Sequence, residues 1–119
     1  RDPEMSRGLG DVYKRQQVDA VMCGNDQMAL GALQAAKEAG KSSLKIYGVD
    51  GSPEMKSELT DEKSMIAGTG AQSPINVGKQ AAKIGEAILN DEDYEKTTYI
   101  DTFFIGKDNV EMYGTNGWQ

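Results

Sequence analysis

The chain has 119 residues, about the length of one small domain, and it carries a formal net charge of −6 with an isoelectric point near 4.6. Such an acidic chain lacks the clustered Lys and Arg that nucleic acids and anionic membranes require, so neither is expected as a direct partner. It has no histidine and one cysteine, Cys23, which excludes a Cys/His zinc site, a Ser-His-Asp triad and an internal disulfide. We expect no metal site and no cofactor.

The first sixteen residues, RDPEMSRGLGDVYKRQ, have neither a helical nor a strand period. They resemble the translated cloning or sequencing linkers found on environmental reads, and a natural disordered arm is the alternative. We predict a disordered, non-native linker over 1–16 and leave it out of the functional argument. On this prediction the natural protein begins well upstream, and the chain is its C-terminal piece.

The first regular elements are a strand and a helix. Residues 18–23 (VDAVMC) predict a strand of a parallel sheet, because they are apolar without clean alternation. Asp26 has the chemistry of a helix N-cap. The Ala- and Leu-rich run that follows predicts a helix over 27–39 that stops at Gly40, a natural C′ residue.

The second unit is a strand over 46–49, followed by Asp50-Gly51 and a helix that extends to about residue 62. Ser52 is its predicted cap, and the proline after it suits the first helical turn, where its missing N–H does no harm. Val49 is predicted to be a buried strand residue.

The third unit repeats this pattern. A strand over 65–71 ends in Gln72, and Ser73-Pro74 begins a long helix to about residue 90. Apolar residues recur along this helix at helical spacing; they are Val77, Ala81, Ile84 and Ile88.

An acidic loop over 91–95 precedes the last predicted strand, 99–105, and a turn-rich tail. Three strand-helix units and a final strand indicate an α/β fold with right-handed crossovers. We predict a doubly wound, mainly parallel sheet.

Three polar residues follow three of the predicted strands: Asn25, Asp50 and Gln72. Ligands of open α/β sheets bind at this edge. A carboxylate and two amides suit the hydroxyl groups of a neutral polyol better than a phosphate, which favours glycine-rich amides or Lys/Arg. Asp50 is expected to contribute most, because it is charged. The alternative is that these residues serve only as turn or cap residues.

Four blocks of this sequence together resemble one family: NDQMALGALQAAKEAG, IYGVDGSP, AGTGAQSP and YIDTFFIGKDNV. They are similar to the ribose/galactose-type periplasmic sugar-binding proteins, the type I solute-binding proteins of bacterial ABC transporters. The resemblance extends from Val18 to the end of the chain, about the last third to two fifths of a family member.

The resemblance implies a fold of two α/β lobes joined by three crossovers, with sugar held between them. It implies that the three polar residues bind sugar hydroxyls and that Gln72 lies at a crossover. Residues 17–72 would belong to the C-terminal lobe, 73–101 to the N-terminal lobe, and 102–119 would return to the C-terminal lobe. Ribose binders place a stacking aromatic ring where this chain has Val49, which argues against ribose itself.

The implied function is capture of a monosaccharide-like ligand for an ABC permease. The protein would be an extracytoplasmic monomer, in the periplasm or on the cell surface as a lipoprotein, and would meet the membrane only through the permease or a lipid anchor. It would not be an enzyme. The alternative is the sugar-effector domain of a LacI-type repressor, which resembles the same fold. Trp118 and Tyr113 are expected to pack on the surface, because terminal residues are usually mobile, and stacking on a sugar is the alternative for them. Cys23 is expected to be an inert thiol.

Overall fold

The computed structural model describes residues 17–119, so the predicted linker lies outside the described residues. Strands and helices alternate in the predicted order. The strands are β1 (Ala20–Met22), β2 (Lys45–Asp50), β3 (Ile66–Ala71) and β4 (Phe103–Gly106). The helices are α1 (Asp26–Glu38), α2 (Pro53–Leu59) and α3 (Pro74–Leu89), and a 3-10 helix lies at Val110–Met112 in the tail.

The strands form one sheet in the order β1-β2-β3-β4. The first three are parallel, and β4 runs antiparallel to β3, which confirms a mainly parallel sheet. Two element boundaries differ from the prediction by three residues or more. The α2 helix ends three residues early, because the Thr60 and Asp61 amides donate to carbonyls three residues back and tighten the turn. The last strand begins at Phe103, where pairing with β3 begins.

Local signals set three helix ends as predicted: the starts of α2 and α3 and the end of α1. The Ser52 hydroxyl accepts a hydrogen bond from the Met55 amide at 3.2 Å, and the Ser73 hydroxyl accepts one from the Asn76 amide at 3.1 Å. At the end of α1, Gly40 has φ +71°, and its amide donates to the Lys37 carbonyl. This is a Schellman C-terminus, for which glycine carries no steric penalty.

The hydrophobic core lies between one face of the sheet and the helices α1 and α2. Gly48 of β2 shows that both helices cover the same face, because a side chain there would meet Ala29 of α1 and Met55 of α2. Small residues let α1 lie close to the sheet. The largest fully buried apolar residues are Ile46, Met55, Leu59, Ile66, Ile105 and Val110.

The opposite face of the sheet is largely exposed in the described chain. Met22 is 78% exposed, and Phe104 is 55% exposed although its ring centroid lies 6.5 Å from that of Tyr47. Val49, at 39% exposed, is not the buried residue that we predicted. Side chains alternate along a strand, and Gly48 faces the helices, so Val49 points to the uncovered face.

The α3 helix lies outside the core. None of its residues is buried, and Ile88 on its predicted apolar stripe is 49% exposed. The radius of gyration of 18.2 Å exceeds the value of about 13 Å for a compact domain of 100 residues. No helix within residues 17–119 is long and apolar enough to cross a membrane.

Candidate functional site

The corner between β2 and α2 is formed by Asp50, Gly51 and Ser52. Asp50 has φ +135°, a conformation that residues with a side chain rarely adopt. Such strain costs of the order of 1–3 kcal/mol and persists where the surroundings over-determine it. Gly51 has φ +77°, and a Cβ there would lie 2.7 Å from the Cβ of Ala71, so the corner also requires glycine.

A buried carboxylate, Asp26, holds this corner. It accepts a hydrogen bond from the Ser52 amide at 2.7 Å and another from the Thr69 hydroxyl at 2.7 Å. The Thr69 hydroxyl oxygen in turn accepts from the Gly51 amide at 3.1 Å. Asp26 is only 1% exposed, and the missing side chain of Gly48 leaves room for it. One carboxylate therefore connects the start of α1 to both the β2–α2 corner and β3.

The prediction that Asp26 is the N-cap is wrong, because the cap is its neighbour. The Asn25 side-chain oxygen accepts from the Met28 amide at 2.8 Å. Asn25 thus accepts from the Met28 amide in the first turn of α1, and the Asp26 side chain points into the protein instead. Asn25 keeps its side-chain NH₂ group, a donor that the cap does not use.

Asp50 and Gln72 meet at the ends of neighbouring strands. The Gln72 side-chain amide donates to Asp50 Oδ1 at 2.9 Å, and the Gln72 backbone amide donates to the Asp50 carbonyl at 3.2 Å. Both side chains border a cavity of about 760 Å³, within the range of small-molecule sites. It is lined by Asp50, Gln72, Pro74, Ile75, Val77 and Trp118.

Two of the three predicted ligand residues are therefore brought together, and the third is not. Asn25 does not line this cavity, although it follows β1 at the same edge of the sheet. The hydrogen bond between Asp50 and Gln72 does not use Asp50 Oδ2 or Gln72 Oε1. Both oxygens can therefore accept hydrogen bonds from hydroxyl groups.

From the sequence, we favoured surface packing for the aromatic residues of the tail. Trp118 lines the cavity, whereas surface packing was expected for it. The expectation for Tyr113 is confirmed, since its ring stacks on Phe103 with centroids 5.1 Å apart. Burial raises the pKa of the Cys23 thiol, which agrees with an unreactive cysteine.

The described residues form an α/β fold with a cavity at one edge of its sheet, and comparison identifies the family. Residues 3–93 match the model of the periplasmic binding protein domain, and the chain belongs to that family. The match begins inside the segment 1–16 that we set aside.

Curated relatives are sugar- and polyol-binding proteins. The chain is 36% identical over 90 residues to the ribose import binding protein of Escherichia coli, covering 76% of this chain and 30% of that protein. It is 35% identical over 97 residues to the xylitol-binding protein of Mycolicibacterium smegmatis, covering 81% of this chain and 27% of that protein. The matched part of the chain thus spans 27–30% of the length of these relatives.

A solved structure has the same fold. The ABC transporter solute-binding protein from Agrobacterium vitis with bound allitol has a TM-score of 0.77 and 29% identity. The similarity covers 92% of this chain and 38% of that chain. The neighbour supports the type I periplasmic-binding-protein fold, of which this chain forms part.

Proposed function

We propose that the chain forms part of the sugar-binding cleft of a solute-binding protein that serves a bacterial ABC importer. The observation that carries the proposal is the Asp50–Gln72 hydrogen bond beside the 760 Å³ cavity, with Asp50 in a strained backbone conformation. The ligand is a neutral monosaccharide or related polyol. The ribose- and xylitol-binding relatives and the allitol-bound structure support this ligand class.

In this proposal Asp50 accepts hydrogen bonds from sugar hydroxyls, and Gln72 orients its carboxylate while offering its own carbonyl oxygen. Hydrogen bonds to a charged group contribute about 1.5–3 kcal/mol each. Asn25 contributes its free NH₂ group, which requires that the bound ligand extend from the cavity toward β1. No covalent step is involved, and the protein acts by binding alone.

The mechanism is closure of two lobes on the ligand. Residues 17–72 and 102–119 form part of one lobe, since β4 rejoins the sheet beside β3. Residues 73–101 belong to the other lobe, since α3 buries none of its side chains here. Sugar that contacts both lobes favours the closed state, which the permease then recognises outside the cytoplasm.

A LacI-type effector domain remains the alternative with the same fold. The named relatives favour import, because they are binding proteins of transport rather than regulators. An intact protein that bound operator DNA and released it on adding sugar would favour the alternative.

The test is isothermal titration calorimetry on the intact protein that carries this chain, with ribose, xylitol, allitol and myo-inositol as ligands. Asp50→Ala is expected to weaken binding of the preferred ligand by about tenfold to a hundredfold. Asp93→Ala, the same change in the exposed loop, is the matched control and should bind like wild type. Unchanged affinity of Asp50→Ala would refute the role of Asp50.

A further inference from the structure

Lys56 of α2 is a fully buried lysine whose ammonium group points at the C-terminal tail. It is 0% exposed, and its Nζ donates to the Gly117 carbonyl at 2.6 Å and to Gln119 Oε1 at 2.6 Å. These two acceptors lie on either side of Trp118 in the sequence. Both acceptors are neutral oxygens, so neither of them supplies a negative charge to balance the ammonium group.

The tail is also joined to the corner that carries Asp50. The Gln119 side-chain amide donates to the Gly51 carbonyl at 3.3 Å. A Cβ at Gly51 would lie 2.7 Å from that same nitrogen, so the close approach depends on glycine there. Lys56 and Gly51 therefore hold residues 117 and 119, one on each side of Trp118.

The residue so placed, Trp118, is 45% exposed and lines the cavity that Asp50 and Gln72 border. The cavity thus combines a carboxylate–amide pair with an indole side chain. A carbohydrate has the same two kinds of surface, since its hydroxyls bind polar groups and its C–H faces pack on aromatic rings.

Resting on the proposed function, we propose that Trp118 is a specificity-determining contact for the C–H face of the sugar and that Lys56 is the positioning residue that holds it there. An acyclic or small ligand that lacks an apolar face would gain less binding free energy from contact with Trp118 than a pyranose, furanose or cyclitol ring.

The positioning claim is tested without ligand, by acrylamide quenching of Trp118 fluorescence in the intact protein. The Trp118 signal is obtained by subtracting the emission of the Trp118→Phe variant. Lys56→Met removes both hydrogen bonds but keeps an unbranched apolar side chain of similar length that can fill the same space. A larger quenching constant and a red-shifted emission are expected, whereas the exposed control Lys63→Met should leave both unchanged.

Gln119→Ala provides a second variant that leaves α2 intact, and it should shift the Trp118 signal in the same direction as Lys56→Met. Circular dichroism establishes that each variant is folded. A Trp118 signal unchanged in the folded Gln119→Ala variant, or in a folded Lys56→Met variant, would overturn the positioning role.

The contact itself is tested by calorimetry with cyclic and acyclic ligands. Trp118→Ala should weaken binding of the preferred cyclic ligand by about tenfold, and Trp118→Phe should restore most of it. Tyr94→Ala, at a half-exposed aromatic residue of the acidic loop, is the matched control. Equal affinity of Trp118→Ala and wild type would overturn this inference but leave the proposed function standing. No binding of any carbohydrate by wild type would refute both.

Discussion

At the scale of single residues, Asp50 combines a strained backbone with a side chain that borders the cavity. Its φ of +135° would be easy only for glycine, yet the position carries a carboxylate that meets Gln72. A protein under selection for stability alone would place glycine there, so the strain favours a functional role for the side chain.

We predict that Asp50→Gly is more stable than Asp50→Ala by about 1 kcal/mol, because strain of about 1–3 kcal/mol is relieved and the extra chain entropy of glycine costs about 0.5–1 kcal/mol. Both variants lack the carboxylate, so the difference between their free energies of unfolding reports the effect of the Cβ at this position. Urea unfolding of the intact protein measures the difference, and an alanine variant as stable as the glycine variant would contradict the strain.

Lys56 provides a prediction about pH. Burial lowers the pKa of its ammonium group below the ordinary value of 10.5, so the folded state binds this proton less tightly than the unfolded state. Between the lowered pKa and 10.5 the unfolded chain holds more protons, and the contribution of Lys56 to the free energy of unfolding rises with pH.

The quantity to measure is the free energy of unfolding of wild type minus that of Lys56→Met. It should increase from pH 7 toward pH 10.5. A difference for Lys56 that decreases as pH rises would show that the folded state stabilises the charged form.

At the scale of elements, α3 is a well-capped amphipathic helix whose apolar stripe has no partner in the described chain. Ser73 caps it, and Ile88 on the stripe is half exposed. A helix derives most of its stability in proteins from packing such a stripe. The stripe is therefore expected to pack on the other lobe in the intact protein.

We predict that Ile88→Gln destabilises the intact protein by about 2 kcal/mol or more, as expected for a polar group placed in a core. Met112→Gln, at another exposed apolar residue, should change the free energy of unfolding by less than about 0.5 kcal/mol. Chemical denaturation measures both. A neutral Ile88→Gln would contradict the assignment of α3 to a second lobe.

At the scale of the whole molecule, the described chain is a sheet with one covered face and a helix that extends from it. Parallel strands are normally covered on both faces. Residues 17–119 alone are therefore expected to melt without a sharp cooperative transition, or below the range of about 45–65 °C of mesophilic domains. Calorimetry of this segment measures the transition, and a cooperative melt above that range would count against a missing partner.

The order of strands and helices, the serine caps and the glycine end of α1 could be predicted because the signals for them are local. The element order follows from the apolar pattern of each segment. The caps depend on hydrogen bonds within a few residues, such as those from the Met55 amide to Ser52 and from the Asn76 amide to Ser73. The same local chemistry identified Asp50 and Gln72 as strand-end residues, since parallel strands end at one edge of the sheet.

The sequence by itself thus determined the α/β class, the element order and two of the residues that border the cavity. Only the tertiary structure decided that Asp26 supports the 50–52 corner, that one face of the sheet is open, and that Trp118 lines the cavity. The reason is sequence separation: Asp26 bonds Thr69 across 43 residues, and Lys56 bonds Gly117 across 61. Contacts between residues so far apart in the sequence leave no periodic or local pattern, because they arise only when the helices and strands pack together.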